Sequence, residues 1–278
     1  MLKYFEPVSQ EDGLNALKEN PCNLLDFQKL ILRDKSSYKG NSGNREHLAV
    51  ILAGQCNLKV NGKIFSQIGG RLDVFAGKPW SVYIPIQSNF EISKASEGSL
   101  VEVALCSALA ETKYEPFLVP PEEVVAGKWG ISNFARDFHL ILVSTSRPVN
   151  RLIVGETFTP SGNWSSYPPH KHEVDRPPEE VFMEEMYYFK VTPPDGFGFT
   201  KLYTDDGEVD DVYTVKDETI LKIPRGYHTV VSAPGYVTYY LWFLAGNTRE
   251  QHPFLDPDVG WVNKAVNIIK NIRDNLSF

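Results

Sequence analysis

The feature that most constrains this chain is its punctuation. From His47 onward, short runs rich in β-branched and aromatic residues are cut by Gly, Pro, Asn and Asp: HLAVILAG, CNLKVNGKIF with an Asn61-Gly62 turn, WSVYIPI, NFEISKA and SLVEVALCSA. Runs of this length are strands rather than helices, and Asn-Gly between two of them is a hairpin signal. A succession of short strands joined by tight turns closes into an antiparallel sandwich or barrel, not a parallel sheet. The same spacing resumes at Asn150 with NRLIVGETF, EEMYYFKV, GFGFTKLYT, EVDDVYTV, TILKIP, HTVVSAP and VTYYLWFLAG.

A chain of 278 residues accommodates two such units. The predicted architecture is therefore all-β, with two β-barrel or jelly-roll domains at 1–130 and 131–278. The segment 120–150, which begins at Pro120-Pro121 and carries Pro148, is the predicted connection. Three further elements are expected: a short helix over Ser9–Leu17, a first strand over Leu24–Arg33, and a C-terminal helix. Asp256 and Pro257 suit its N-cap and first position, and Trp261, Val262, Ala265, Val266, Ile269 and Ile272 recur at helical spacing.

Composition excludes several function classes. A net charge of −7 offers no concentrated basic face for nucleic acid or an anionic membrane. No apolar run approaches the roughly 20 residues that span a bilayer, and MLKYFEPVSQEDG lacks the apolar core of a signal peptide, so the expected location is the cytoplasm. Cys22, Cys56 and Cys106 are widely spaced and odd in number, which suggests neither a disulfide framework nor a thiolate metal site.

The chemistry concentrates between Asn163 and His228. Half of the six histidines fall there: His170 and His172, two apart and hence on one face of a strand, and His228 after the Pro224–Gly226 turn. A His-x-His pair alone also fits a polar surface; a third histidine and the intervening Glu184-Glu185 pair point to a metal site. Side chains alternate along a strand, so only one of the two glutamates, Glu184 or Glu185, faces the histidines. Three imidazoles and a carboxylate, with positions left for water or substrate, suit a divalent first-row ion: zinc or manganese foremost, with iron, cobalt and nickel also accommodated. The first half, with His47 and no His-x-His pair, offers no comparable site.

His-x-His, a later Glu and Pro-x-Gly-x-His resemble the two metal motifs of the cupin superfamily. The words GNWSSYPPHKH, EEMYYF, GFGF, PRGYH, APGY and YYLWFLAG are similar to those of the 5-deoxy-glucuronate isomerase family of inositol catabolism, most clearly over residues 154–261. Thr229 stands where that pattern has proline, and 120–150 matches poorly. The resemblance implies a bicupin with His170, His172, Glu185 and His228 as metal ligands. It also implies conversion of 5-deoxy-D-glucuronate to 5-dehydro-2-deoxy-D-gluconate, an aldose–ketose isomerisation through an enediolate in which the ion acts as Lewis acid.

Such a reaction needs a proton carrier, for which Glu184, Tyr187, Tyr240 and Lys171 are candidates. The uronate carboxylate asks for a cation, with Arg225 first by proximity to His228, then Arg249 and Arg176. Tyr240 is also a candidate for binding substrate, and Asn163 and Trp164 for lining the mouth. The implied partner is a small sugar acid, and a homodimer is expected from strand edges that pair. Other readings compatible with the ligands are the related 5-keto-4-deoxyuronate isomerase, a metal-dependent cupin dioxygenase and a non-catalytic sugar-binding cupin.

Overall fold

The computed structural model describes residues 3–143, 145, 147–266 and 268. Four antiparallel sheets form two sandwiches. In the first, a six-stranded sheet ordered Phe117–Val119, Ser81–Ile84, Arg45–Ala53, Val101–Leu109, Leu25–Leu32, Gly13–Ala16 faces a four-stranded one ordered Ser37–Asn41, Asn89–Lys94, Gln55–Val60, Lys63–Gly69. In the second, a seven-stranded sheet runs Phe5–Pro7, Thr219–Ile223, Met183–Thr192, Val237–Gly246, Ile153–Thr159, Arg136–Leu140, Val125–Trp129. Its partner sheet runs Asp210–Val215, Gly198–Tyr203, Tyr227–Ser232, Trp164–Lys171, Phe254–Leu255. The eight strands from Leu25 to Leu109 and the eight from Ile153 to Gly246 follow the same sequence of pairings. This is a jelly roll made twice.

Alternation of side chains divides the core in three. Ala49, Ile51, Val82 and Val103 fill the first sandwich, and Tyr187, Phe189, Leu221 and Trp242 fill the second. The opposite faces of the two large sheets, with Leu48, Val50, Met186, Tyr188 and Phe243, meet in a third cluster that joins the halves. Three members of the seven-stranded sheet come from upstream of Ile153: Phe5–Pro7 pairs with Thr219–Ile223, Arg136–Leu140 pairs with Ile153–Thr159, and Val125–Trp129 pairs with Arg136–Leu140 at the edge.

Buried carboxylates sew the halves together reciprocally. Glu46 of the first half accepts hydrogen bonds from the backbone N–H groups of Asn150, Arg151 and Leu152 at 2.9, 2.6 and 2.8 Å. Glu184 of the second accepts from those of Asn23, Leu24 and Leu25 at 2.7, 2.7 and 3.1 Å.

Leu25–Leu32 realises the predicted first strand. The predicted helix at Ser9–Leu17 is instead the edge strand Gly13–Ala16, paired to Leu25–Leu32; Gly13, at φ 115°, is outside helical space, and pairing overrides local preference. At the other end, residues 257–260 form a turn held by Asp256, whose carbonyl accepts from Gly260 N–H at 2.7 Å, and helix occupies residues 262–266. The helix thus starts later than the Asp256-Pro257 signal implied, and Ile269 and Ile272 lie outside the described residues. Cys22, Cys56 and Cys106 are buried free thiols.

Candidate metal centre and active site

Three strands and one loop deliver the cluster. His170 on Trp164–Lys171 lies opposite His228 on Tyr227–Ser232, and His172 follows just past the strand end. Glu185 comes from Met183–Thr192, whose odd-numbered residues point into the sandwich; Met183 N–H bonds to the carbonyl of His172 at 2.9 Å, which fixes the loop against the strand. One ligand atom from each of His170, His172, Glu185 and His228 lies within 4.8 Å of the others. A single ion about 2.1 Å from every donor separates them by roughly 3–4 Å, so the set is of the right size.

The polar atoms themselves ask for a partner. His228 Nε2 and Glu185 Oε2, 3.0 Å apart, are buried and make no hydrogen bond, and His172 Nδ1 is likewise buried and unbonded. Buried polar atoms without partners are costly, and one cation satisfies several at once. The Nδ1 atoms of His170 and His228 face the carbonyls of Pro168 and Gly226 at 3.4 Å. A carbonyl can only accept, so each Nδ1 carries the proton and each Nε2 is free to ligate. Burial, then the neighbouring imidazoles of His228 and His172, holds His170 well below its usual range; burial brings His172 down to about 4. Both are neutral, ligand-competent imidazoles at neutral pH.

Around the cluster is a cavity lined by Trp129, Arg136, Ser166, Tyr187, Tyr240 and Trp242, among others. Ser166 Oγ lies 2.9 Å from Tyr187 Oη and 3.3 Å from Tyr240 Oη. Burial first, and the nearby Glu185 carboxylate second, keep the Tyr187 phenol well above its ordinary range, so it is a protonated donor.

Of the residues singled out from sequence, the structure brings together His170, His172, Glu185, His228, Tyr187 and Tyr240. It does not bring Glu184, which faces the other half and is saturated by three N–H groups. Lys171, between the two histidines, leaves the opposite side of the strand, where it pairs with Asp205 and lies over Tyr227 and Phe254. Arg225 turns outward to Glu173, Asp206 and Glu208, Arg249 donates to the carbonyls of Leu142, Val143 and Leu152, and Arg176 pairs with Glu179. Asn163 bonds Ala135 O at 2.7 Å, and Trp164 lines a separate recess with Tyr167 and Trp261. Sequence reasoning passed over Trp129 and Arg136. Their strands lie in the proline-flanked stretch read as a connection, and the alternation in RDFHL was the available signal.

Two jelly rolls in one chain, the second enclosing three histidines and a glutamate, define a bicupin with a cluster that can hold a metal ion. The chain belongs to the KduI/IolB family, whose profile matches residues 9–262. It is 40% identical over 237 residues to the 5-deoxy-glucuronate isomerase of Geobacillus kaustophilus, covering 85% of this chain and 84% of that protein. The 5-deoxy-glucuronate isomerase of Bacillus subtilis strain 168 is 38% identical over 239 residues, 86% and 87% of the two chains. Among solved structures, an IolB-like protein from Salmonella typhimurium LT2 superposes with TM-score 0.86 at 29% identity, covering 94% of this chain and 99% of that one. The oxalate decarboxylase of Lactobacillus farciminis, at TM-score 0.65 and 10% identity over 99% and 94% of the chains, shares the fold.

Proposed function

We propose that this protein is a metal-dependent 5-deoxy-glucuronate isomerase that converts 5-deoxy-D-glucuronate to 5-dehydro-2-deoxy-D-gluconate in inositol catabolism. The observation that carries the reading is the buried, unsatisfied His170–His172–Glu185–His228 set in a chain whose relatives bear that name across most of their length. With three nitrogen donors, one carboxylate and no thiolate, the set favours zinc or manganese. When bound, such an ion supplies Lewis acidity, lowering the cost of negative charge on the sugar's carbonyl and adjacent hydroxyl oxygens.

The chain's own residues do the rest. Tyr187, a neutral phenol tied to Ser166, donates from Oη to the oxygen on which charge develops. Glu185, the sole carboxylate among the described residues lining the cavity, would give one oxygen to the ion, and its other oxygen takes the proton from the hydroxyl-bearing carbon and returns it to the former aldehyde carbon, while the hydroxyl proton passes to the former aldehyde oxygen. Trp129 and Trp242 limit access of water. The first half carries no metal in this reading and supports the second through the shared core. A cytoplasmic homodimer completes it. Among the described residues no helix is long and apolar enough to cross a membrane, and exposed Ile64 and Val212 sit on the edge strands of the two smaller sheets, where pairing is available.

The test is an NMR assay of metal-analysed protein with 5-deoxy-D-glucuronate, before and after chelation and with single metals restored. Conversion that vanishes with the chelator and returns with metal is expected. No conversion by loaded protein sinks the assignment. Tyr187→Phe is expected to lower kcat about 10- to 100-fold with little change in KM.

A further inference from the structure

Arg136, half-buried but with its Nε sealed from solvent, is unlike the other arginines packed into this molecule. Arg71 meets Glu156 at 2.8 Å, and Arg249 donates to three carbonyls. Arg136 lines the cavity beside the histidine cluster, and among the described residues it has no carboxylate within ion-pair distance. Its Nε is buried with no hydrogen bond, and only Nη1 is engaged, at 3.3 and 3.5 Å from the carbonyls of Phe134 and Tyr167. Its guanidinium lies 5.7 Å from the Trp129 ring, which stacks on Phe138 at 4.1 Å, so the side chain is braced from behind. Withdrawing a cation from water without an anion to meet it is costly, and a site that bears the cost has an anion to receive.

We propose that Arg136 is the carboxylate clamp of this site and the determinant of its preference for a sugar acid. The guanidinium presents its free nitrogens to the terminal carboxylate, and the indoles of Trp129 and Trp242, with ring centroids 6.3 Å apart, take the adjoining deoxy carbon, which has no hydroxyl to satisfy. The reducing end then faces the histidines and Glu185, and the middle hydroxyls face Tyr240 and Ser166. This assignment rests on the isomerase reading above for the identity of the acid. It replaces Arg225, which is turned outward, half-exposed, and already shared among three carboxylates.

The experiment compares wild type, Arg136→Gln, Arg136→Lys and, as control, Arg225→Gln, each checked by circular dichroism and metal content. Turnover of 5-deoxy-D-glucuronate is followed by NMR. Calorimetry measures binding of two non-reacting probes, to loaded and to chelated protein: the same acid reduced at its aldehyde to the alcohol, and the neutral counterpart with CH2OH in place of the carboxylate. For Arg136→Gln, acid binding weakens about 10- to 100-fold and KM rises by a similar factor, while the neutral probe binds within about threefold of wild type. The preference for acid over alcohol disappears. Arg136→Lys keeps the charge but not the planar fork and retains part of the preference, while Arg225→Gln keeps all of it.

A folded Arg136→Gln that prefers the acid by the wild-type ratio overturns the clamp, as does a wild type with no preference. Should Arg136→Gln fail to fold, an Arg136→Lys protein with undiminished preference has the same force. Wild type that binds the acid through Arg136 yet converts nothing leaves the clamp standing and removes the isomerase reading.

Discussion

The two halves of this chain are the same jelly roll carrying different polar residues at matching points, and the contrast shows what makes one of them a site. Asn41 pairs with Asn89 in the first half as His170 pairs with His228 in the second. His47 lies opposite Ile84, one residue before Pro85, as Glu185 lies opposite Ile223, one residue before Pro224. Gly43 stands two beyond Asn41, where His172 stands two beyond His170. In the first half these groups satisfy one another: Asn41 Nδ2 donates to Asn89 Oδ1 at 2.7 Å, and Asn41 Oδ1 accepts from Gly43 N–H at 2.9 Å. In the second, lone pairs and protons are left over. Amides can donate and accept and so close upon themselves; His170 and His228, held with Nδ1 to carbonyls, present only acceptors toward a carboxylate, and acceptors need a cation.

The largest effect expected from this contrast is on metal. His228→Ala and His172→Ala are each expected to lose bound ion by more than the roughly 100-fold that removal of an outer partner costs, with turnover lost in parallel and the circular dichroism kept. His47→Ala, altered at the matching place, should leave both metal content and turnover per folded molecule within about twofold. Metal analysis after dialysis, alongside the NMR assay, decides. Loss of the ion in the His47 variant would mean that the first half takes part in binding.

Next in size are the reciprocal carboxylates. Glu46→Gln and Glu184→Gln each replace a charged acceptor of three N–H groups, and each is expected to cost about 2–4 kcal/mol in denaturant unfolding with turnover per folded molecule unchanged. A Glu184→Gln protein that loses turnover while Glu46→Gln keeps it would return Glu184 to the chemistry.

A smaller effect distinguishes the halves by pH. Burial lowers His47 to about 4, against about 6.5 when unfolded, so the unfolded chain binds the proton more readily. The stability this neutral imidazole contributes is present above pH 6.5 and is lost as pH falls toward 4, by up to about 3 kcal/mol. Unfolding of His47→Leu measured at pH 7.5 and pH 5 should lack that component of the wild-type loss; an identical decline would assign it elsewhere. Least of all, Lys171→Gln is expected to change kcat/KM by less than about twofold, and a tenfold fall would place Lys171 inside the cavity.

Much of this was legible in the sequence, because alternation is a local signal. EEMYYF read as a strand already implied that Glu184 and Glu185 part company, and HKH implied two imidazoles on one face. What was illegible depends on partners far along the chain. Nothing near Glu184 announces three N–H groups from residues 23–25, so as the glutamate beside the ligand it read as available for catalysis. Arg225 was favoured because it precedes His228, but Gly226, at φ 94°, turns the chain between them, and Asp206 and Glu208 draw the guanidinium outward. Arg136 was hidden for the opposite reason: its strand is short and half-buried, lies in the stretch read as a connection, and joins the sheet only through Ile153–Thr159.

The reciprocity of Glu46 and Glu184 bears on ancestry. Each glutamate meets an Asn-x-Leu stretch of the other half, Asn150–Leu152 in one case and Asn23–Leu25 in the other. That is the form of an isologous contact, in which a patch meets its own copy turned by a half-rotation. One jelly roll bearing both the glutamate and the Asn-x-Leu stretch is complementary to a twin of itself. Such a twinned pair, once joined into one chain, is free to let the two polar clusters diverge, one toward imidazoles and one toward amides, while the seam between them stays as it was.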